Sequence, residues 1–481
     1  MSTSAARPAR SLAERLLAEH PRPRVVARWR HAHWLAVATV CLGAFLGQLT
    51  ASVTSLVFPA LQQRFDTNFA AVEWVSLAYL LVLVALLAPV GRLSDLVGRK
   101  TVYIGGFAVF ALASLGAGLS GSLGLLIACR AVQAVGGAMM QANSVALVAR
   151  GVPERAMRTA LGIQAAAQAL GLALGPTLGG LLVAHASWRW AFWVNVPIGV
   201  LGIAAGWYLL PRTHPEGRPD RRPAEREARF DLPGLLLLAG CSTALLLALS
   251  AASGLPLPGW AVAGLLLAAA GLGVALTRQE QRADRPIIPP GLVNTPGIRA
   301  GLLIALVGYL LLFCPLVLGP VMLAGAGVSA ATAGLVITAL PGAFALAATV
   351  GGGLLPGDCA DATRCRWGAL TAGGGLLALA ALPVGPLTVA LPLLAVGYGL
   401  GLLLPANNAL VMRAVPAESS AVGGGLVSMV RGLGTALGTA LPVLAVHLAG
   451  HATGGRAVLV LLAGTAVLAA ALTGVGIRRR A

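Results

Sequence analysis

Lysine is nearly missing from this chain: one, Lys100, stands against 33 arginines. Acidic residues are also scarce, 16 in 481 residues, and charged residues of all kinds make up only 10%. A soluble domain typically carries about 25% charged residues. With 57% hydrophobic residues and a mean hydropathy of +0.84, a water-soluble globule is excluded, and an all-α polytopic membrane protein is the expectation.

Other absences narrow the function. The six cysteines form no disulfide framework or metal set: Cys41, Cys129, Cys241 and Cys314 lie inside apolar runs, and Cys359 and Cys365 share one short loop without ligand partners. His447 and His451 are four apart, but two ligands do not make a metal site. Neither a phosphate-binding loop nor a Ser-His-Asp or Cys-His arrangement is present, and no loop is large enough for an ATPase domain. We expect no enzyme, metal or bound cofactor. The net charge of +18 is spread through short loops rather than gathered in one domain, which argues against a nucleic-acid partner. The partners expected are a lipid bilayer and a small molecule, with the protein a monomer.

What is present is a series of fourteen apolar runs long enough to span a bilayer. They fall near 35–58, 71–91, 101–119, 123–149, 157–183, 190–210, 233–252, 259–277, 297–322, 330–353, 367–382, 386–412, 419–447 and 454–477. Of the 34 basic residues, 29 lie on the side of the N-terminus, three (Arg64, Arg189, Arg456) on the other, and two (Arg130, Arg431) within spans. That asymmetry places both termini in the cytoplasm of a multi-pass inner-membrane protein. The expected division is a basic cytoplasmic tail (1–34), a six-helix bundle (35–210), a charged linker (211–232), two additional spans (233–277), a second linker (278–296), a second six-helix bundle (297–477) and a short cytoplasmic end (478–481).

The two bundles repeat. Shifting the sequence by 263 residues lays Asp95 on Asp358, Gly136 on Gly399, Arg150 on Arg413, Val152-Pro153 on Val415-Pro416, and Gly171 and Gly175 on Gly434 and Gly438. Matched halves with a site at their interface are a transporter architecture.

Polar residues inside the spans mark that site. Arg130, Gln133, Gly137, Gln141 and Ser144 share one helical face, as do Gln164, Gln168, Gly171 and Gly175 on the next span. Counting about 1.5 Å per residue, Arg130 lies roughly 10 Å below the outer end of its helix and Arg431 roughly 18 Å from the inner end of its own. An intramembrane arginine is costly and faces a partner or a wet cavity. Under the repeat, Gln168 and Arg431 are equivalent. These residues, with Tyr309, Phe313, Asn407 and Asn408, are expected to line a central cavity built by the spans at 35–58, 123–149, 157–183, 297–322, 386–412 and 419–447. No Asp or Glu lies deep in a span: Glu73 sits at the outer end of the second and Asp66 just outside it, and they are the only proton candidates. With arginines inside and acids at the rim, the site should prefer anionic or neutral compounds.

Four motifs carry a family resemblance. Residues 91–100, GRLSDLVGRK, read as a tight polar turn between the second and third spans, with Gly91 and Gly98 allowing the turn. Arg92, Arg99 and Lys100 are placed to pair with Asp95 or with helix C-termini. This stretch resembles the signature loop of the major facilitator superfamily. RAVQAVGG (130–137) is similar to that family's fourth-helix motif. GLALGPTLGG (171–180), with Gly171, Gly175, Pro176, Gly179 and Gly180, resembles its exporter motif. WRWAFWVNVPIG (188–199) resembles the start of helix six in the fourteen-helix drug:proton antiporter branch.

The resemblance implies two six-helix bundles plus two central helices, a conformational-switch loop with Asp358 as its counterpart in the second half, and export of small amphipathic compounds coupled to proton entry. The chain departs from the branch in places. Thr50 stands where an aspartate is usual and Ser55 where an asparagine is usual, Leu96 replaces a basic residue, and Ala134 replaces a glycine. The missing aspartate keeps open an uncoupled facilitator or anion exchanger, and beyond transport a membrane sensor or scaffold of the same fold.

Overall fold

A computed structural model describes residues 22–23, 29, 31–153, 156–212, 231–252, 257–283, 286, 290–349, 360–416, 420–449 and 454–473. Asp358, Cys359 and His451 lie outside them, and so do the side chains of Arg92, Asp95 and Leu96. Among the described residues there are seventeen helices and no strand. The first bundle holds α1 (Ala32–Leu56), α2 (Phe58–Phe65), α3 (Phe69–Val97), α4 (Arg99–Leu119), α5 (Leu123–Gly151), α6 (Met157–His185), α7 (Trp190–Trp193) and α8 (Asn195–Leu209). The inserted pair is α9 (Leu232–Ala252) and α10 (Gly259–Arg282), followed by the short α11 (Pro290–Val293). The second bundle holds α12 (Pro296–Gly325), α13 (Ala330–Thr349), α14 (Asp361–Ala381), α15 (Pro386–Ala414), α16 (Ser420–Ala449) and α17 (Gly455–Leu472).

Every expected span coincides with a helix, and 190–210 with the pair α7 and α8. Among the described residues, twelve are long and apolar enough to cross a bilayer. The other two are α9, an apolar helix described over Pro233–Leu249, and α14. Helix α14 begins at Asp361, not at 367, and draws Asp361, Arg364 and Arg366 into its first turns. The Asp361 carboxylate meets Arg413 of α15 at 2.8 Å.

Local chemistry sets the boundaries. The Asn68 side chain accepts from the Ala71 N–H and starts α3; Ser122 does the same for Leu125 and starts α5. The stretch GRLSDLVGRK is not a free turn. Helix α3 runs on through Val97, Gly91 is helical, and the whole reversal falls on Gly98 at φ 113°. That backbone region disfavours a side chain. At the start of α4, Lys100 reaches across and donates to the Trp207 and Leu210 carbonyls, both at 2.9 Å. It satisfies carbonyls left open at the C-terminal end of α8. Arg22 adds a 2.6 Å bond to the Leu209 carbonyl from the N-terminal side.

The repeat seen in sequence is a repeat of packing. In the first bundle α6 packs on α1, α5 on α3 and α4, and α8 on α4; in the second, α16 packs on α12, α15 on α13 and α14, and α17 on α14. The matched glycines make the crossings. A Cβ on Gly136 would stand 2.6 Å from the Gly106 carbonyl oxygen, and one on Gly399 would run into the Gly368 carbonyl. A Cβ on Gly171 would strike the Phe45 carbonyl on α1, and one on Gly434 would lie 2.5 Å from the Leu306 carbonyl on α12. In a bilayer, close packing of small residues replaces the hydrophobic drive between helices. Gly136→Ala and Gly399→Ala are therefore each expected to lower stability by about 1–3 kcal/mol through over-packing. Gly374→Ala, where a Cβ would meet nothing within 4 Å, should not. Thermal unfolding midpoints of the three variants in detergent check this.

The bundles meet along α6 against α13 and α3 against α16, and α9 packs on both α3 and α16. This places α9 over one seam between the bundles, with α10 packed against its outer side.

Candidate functional site

A cavity of about 770 Å³ lies between the bundles. Eight helices line it, α1, α3, α5 and α6 from one bundle and α12, α13, α15 and α16 from the other. Two of them, α3 and α13, are additions to the six spans expected. They contribute mainly apolar side chains, Leu80, Leu83, Val84 and Phe344 among them, and these look no different in sequence from lipid-facing ones.

The cavity belongs to one half of the molecule. Its lining on α6 runs from Ile163 to Leu172, on α5 from Gly137 to Ser144, and on α15 from Leu404 to Asn408. These positions lie toward the ends that carry the α3–α4 junction and Arg413. Exposed Ile163, Thr349 and Pro405 mark where it reaches the surface.

Toward the opposite end the bundles are shut. A Cβ on Gly180 would lie 2.5 Å from the Ala330 carbonyl, and one on Gly334 would lie 2.5 Å from the Pro176 carbonyl. The Thr177 and Thr338 hydroxyls bond at 2.5 Å across the same seam. Val317 and Val443 of the second bundle share one core cluster with Leu49 and Val53 of the first, and Ala436 and Ala440 share another with Leu77 and Leu80. Gly171, Gly175 and Gly179 of the fifth-helix motif face α1, while Pro176 and Gly180 face α13.

The polar residues singled out in sequence divide into two groups. Gln141, Gln168, Tyr309, Asn408 and Arg431 line the cavity, with Phe313, Gly137 and Ser144. Arg431 is half-buried and is the one charged side chain among the described lining residues.

Arg130, Gln133, Gln164, Thr50 and Asn407 are not on the wall. Arg130 is only 1% exposed. Its Nε donates to the Val75 carbonyl at 2.8 Å and its Nη1 to Gln133 Oε1 at 2.5 Å. Gln133 Nε2 donates in turn to Ser114 Oγ at 2.6 Å. The guanidinium carbon sits 4.4 Å from the Tyr79 ring centroid and 5.9 Å from that of Phe192. Tyr79 itself lines the cavity, so Arg130 braces the wall from behind. The polar face of α5 is continuous, but the rings of α3 and α7 cover the part that bears Arg130.

Thr50 donates to Asn195 Oδ1 at 3.0 Å and so ties α1 to α8. Asn407 Nδ2 donates to the Gly301 carbonyl at 2.8 Å and ties α15 to α12. Gln164 is buried beside the wall. Glu73 is fully buried in the first turns of α3, and Asp66 is exposed at the C-terminal end of α2 with φ 45°. Neither touches the cavity. His447 is exposed near the end of α16, and the described residues hold no metal-competent cluster.

Among the wall residues that went unnoticed in sequence are Gln48 on α1 and Tyr79 on α3. Gln48 had a signal: an amide alone in an apolar run, one helical turn from Ala44 and Ala51, which share its face.

Two repeated helical bundles around a central, partly polar cavity, open at one end and sealed at the other, define a multi-pass membrane carrier. The Major Facilitator Superfamily model matches residues 40–439, and the chain belongs to that family. That family is one of transporters. The chain is 29% identical over 411 residues to the "Riboflavin transporter RibZ" of Clostridioides difficile (strain 630), covering 85% of this chain and 87% of that one. It is 30% identical over 426 residues to the "Tetracenomycin C resistance and export protein" of Streptomyces glaucescens, covering 85% and 75%. A bacterial homologue of the human lysosomal transporter Spinster, solved in an inward-facing, unoccupied conformation, superposes with a TM-score of 0.62 over 94% of this chain and 98% of the other, at 16% identity. That likeness speaks to the fold.

Proposed function

We propose that this chain is an inner-membrane secondary active exporter of small amphipathic compounds, with anionic and neutral ones favoured over cations. The single observation that carries the reading is the makeup of the cavity wall: among the described residues Arg431 is its lone charge, and the glutamines 48, 141 and 168 with Tyr309 and Asn408 surround it with neutral donors and acceptors. Leu83, Met140 and Phe344 supply the apolar remainder. Cavities of this size suit drug-sized ligands. The orientation follows from the charge asymmetry of the loops: both termini are cytoplasmic, and the cavity opens to the cytoplasm, where cargo for export is loaded. The motif resemblance and the relative named for resistance and export support the direction.

Proton entry is the coupling the family resemblance implies, and Glu73 or Asp66 would have to serve it from off the cavity. A second reading, in which cargo moves without protons, is favoured by the wall itself, which carries no carboxylate among the described residues.

The test is flux of matched aromatic probes through the reconstituted full-length protein: pyrene-1-sulfonate, 1-pyrenemethanol and a pyrenyl trimethylammonium. Sulfonate and alcohol are expected to move at least ten times faster than the ammonium. Faster export of the ammonium overturns the charge preference, and absence of flux for all three favours a sensor or scaffold. Glu73→Gln beside wild type then decides the proton: unchanged dependence on a pH gradient removes the buried carboxylate from coupling.

A further inference from the structure

We infer that Arg431 couples export to the membrane potential by making the empty carrier, and not the loaded one, a charged moving part. The inference rests on the anionic cargo and the orientation proposed above, and it deepens the proton-free reading.

The argument starts from which charges change sides. A charge sealed in protein in both conformations feels the same field throughout and does no electrical work. Arg130 is such a charge, held behind Tyr79. Arg431 is different. It is half-buried on a wet wall, and toward the outer face Ala436 and Ala440 pack against Leu77 and Leu80 as a dry plug. In this conformation the field falls across that plug, and the guanidinium is in electrical contact with the cytoplasm. When the bundles rock and the plug opens, the same guanidinium comes into contact with the outside.

Among the described residues no fixed anion cancels it. The helices packed against α16 are α3, α9, α12, α15 and α17. Helices α9, α12, α15, α17 and α16 itself contain no Asp or Glu. Glu73 is at the far end of α3 and Asp231 just before α9, and neither is on the cavity wall; Asp95 is in the last turn of α3, with its side chain outside the described residues. Among the described residues no carboxylate pairs with Arg431. An arginine side chain keeps its charge throughout the physiological range.

The cycle then balances as follows. The empty site carries one positive charge, and a potential negative inside holds it facing the cytoplasm. A monoanion binds and neutralises the site. The neutral complex reorients without electrical work and releases the anion outside. The charged empty site is then pulled back to the inward-facing state. One negative charge leaves per turn, with no proton and no carboxylate required. A charge crossing the field gains about 2.3 kcal/mol per 100 mV, and at about 1.4 kcal/mol per decade this is a roughly fifty-fold bias.

The test needs no knowledge of the natural cargo. A donor–acceptor pair introduced as unnatural residues at His185 and Ser329, exposed at the outer ends of α6 and before α13, reads the outer seam. The full-length protein is reconstituted in liposomes, potassium and valinomycin set the potential, and an impermeant quencher silences molecules inserted the other way. For the empty wild type, the inward-facing population is expected to change by tens of fold per 100 mV, approaching the fifty-fold limit. Arg431→Lys should keep this response, and Arg431→Gln should reduce it below two-fold. A response that survives in the Gln variant, or is absent from wild type, overturns the inference. A second arm follows pyrene-1-sulfonate, a permanent anion, with internal and external pH equal. Outward accumulation driven by potential alone, insensitive to a proton ionophore, is expected. Sulfonate flux that follows a pH gradient and ignores potential sinks the inference and spares the export reading. A voltage-sensitive seam without sulfonate flux does the reverse.

Discussion

Arg431→Ala is expected to weaken binding of an amphipathic sulfonate by about ten- to a hundred-fold and to leave the thermal unfolding midpoint where it is. A hydrogen bond to a charged group contributes about 1.5–3 kcal/mol, and the guanidinium is the one charged group on the wall among the described residues. Its removal leaves no carboxylate orphaned, because none pairs with it among the described residues. Arg130→Ala should behave in the opposite way. That side chain holds α3 through the Val75 carbonyl, α5 through Gln133, and the faces of Tyr79 and Phe192. Losing two charge-assisted bonds and a desolvated cation–π contact is expected to cost about 3–5 kcal/mol of stability. Sulfonate affinity in whatever folds should change less than in the Arg431 variant, and should change equally for sulfonate and alcohol, because the effect travels through the placement of Tyr79. The measurements are unfolding midpoints in detergent and probe affinities by fluorescence for both variants. Loss of sulfonate selectivity in Arg130→Ala with an intact midpoint would put that arginine on the wall after all.

The contrast between the two arginines shows what could be read from sequence and what could not. Both were legible as intramembrane charges, because apolar runs leave no other place for them, and both lie on polar helical faces. Helical periodicity says which side of α5 a residue is on. It says nothing of where along that side a neighbouring helix closes over it. Arg130 is covered by rings from α3 and α7, which only the tertiary arrangement brings there. For the same reason α3 and α13 were absent from the expected wall: Leu80 and Phe344 line a cavity with side chains suited equally to lipid.

The repeat fared differently. The matched glycines are legible because close backbone approach leaves so little choice of residue. Gly136 and Gly399 occupy equivalent crossings for that reason. The signature stretch GRLSDLVGRK was legible as a polar junction, but its helical continuation was not. One glycine, Gly98, carries the reversal, and Gly91 is simply part of α3. In place of the aspartate usual in the branch, Thr50 serves architecture, holding Asn195. A departure from a family pattern at a site position thus marks a change in what that helix does for the carrier.

Gly180→Val is expected to abolish turnover and trap the protein with its outer seam open. The seam closes by backbone against backbone: a Cβ at Gly180 would press the Ala330 carbonyl and the Gly334 Cα, at 2.5 and 3.0 Å. Neither can yield as the end of a flexible side chain can. Valine adds two further carbons at a place where α6 and α13 have no room, and over-packing of this kind costs about 1–3 kcal/mol or more. Within one bundle that strain would destabilise the fold. Between two bundles that rock, it is relieved by parting them, so the strain acts on the conformational equilibrium instead. A shift of about 3 kcal/mol changes the ratio of states by roughly 150-fold, enough to empty the inward-facing form if the two are near balance. Gly334→Val, pressing on the Pro176 carbonyl from the other side, should do the same, and Thr177→Val, which deletes one hydroxyl of the bridge to Thr338, should do so more weakly. Distances between labels at His185 and Ser329 measure the opening, and sulfonate flux measures the arrest. The pair of readouts separates a trapped carrier from a misfolded one: the trap predicts a longer, well-defined distance with a normal yield of folded protein. An unchanged distance with full transport in Gly180→Val would mean that α6 and α13 do not form the outer closure.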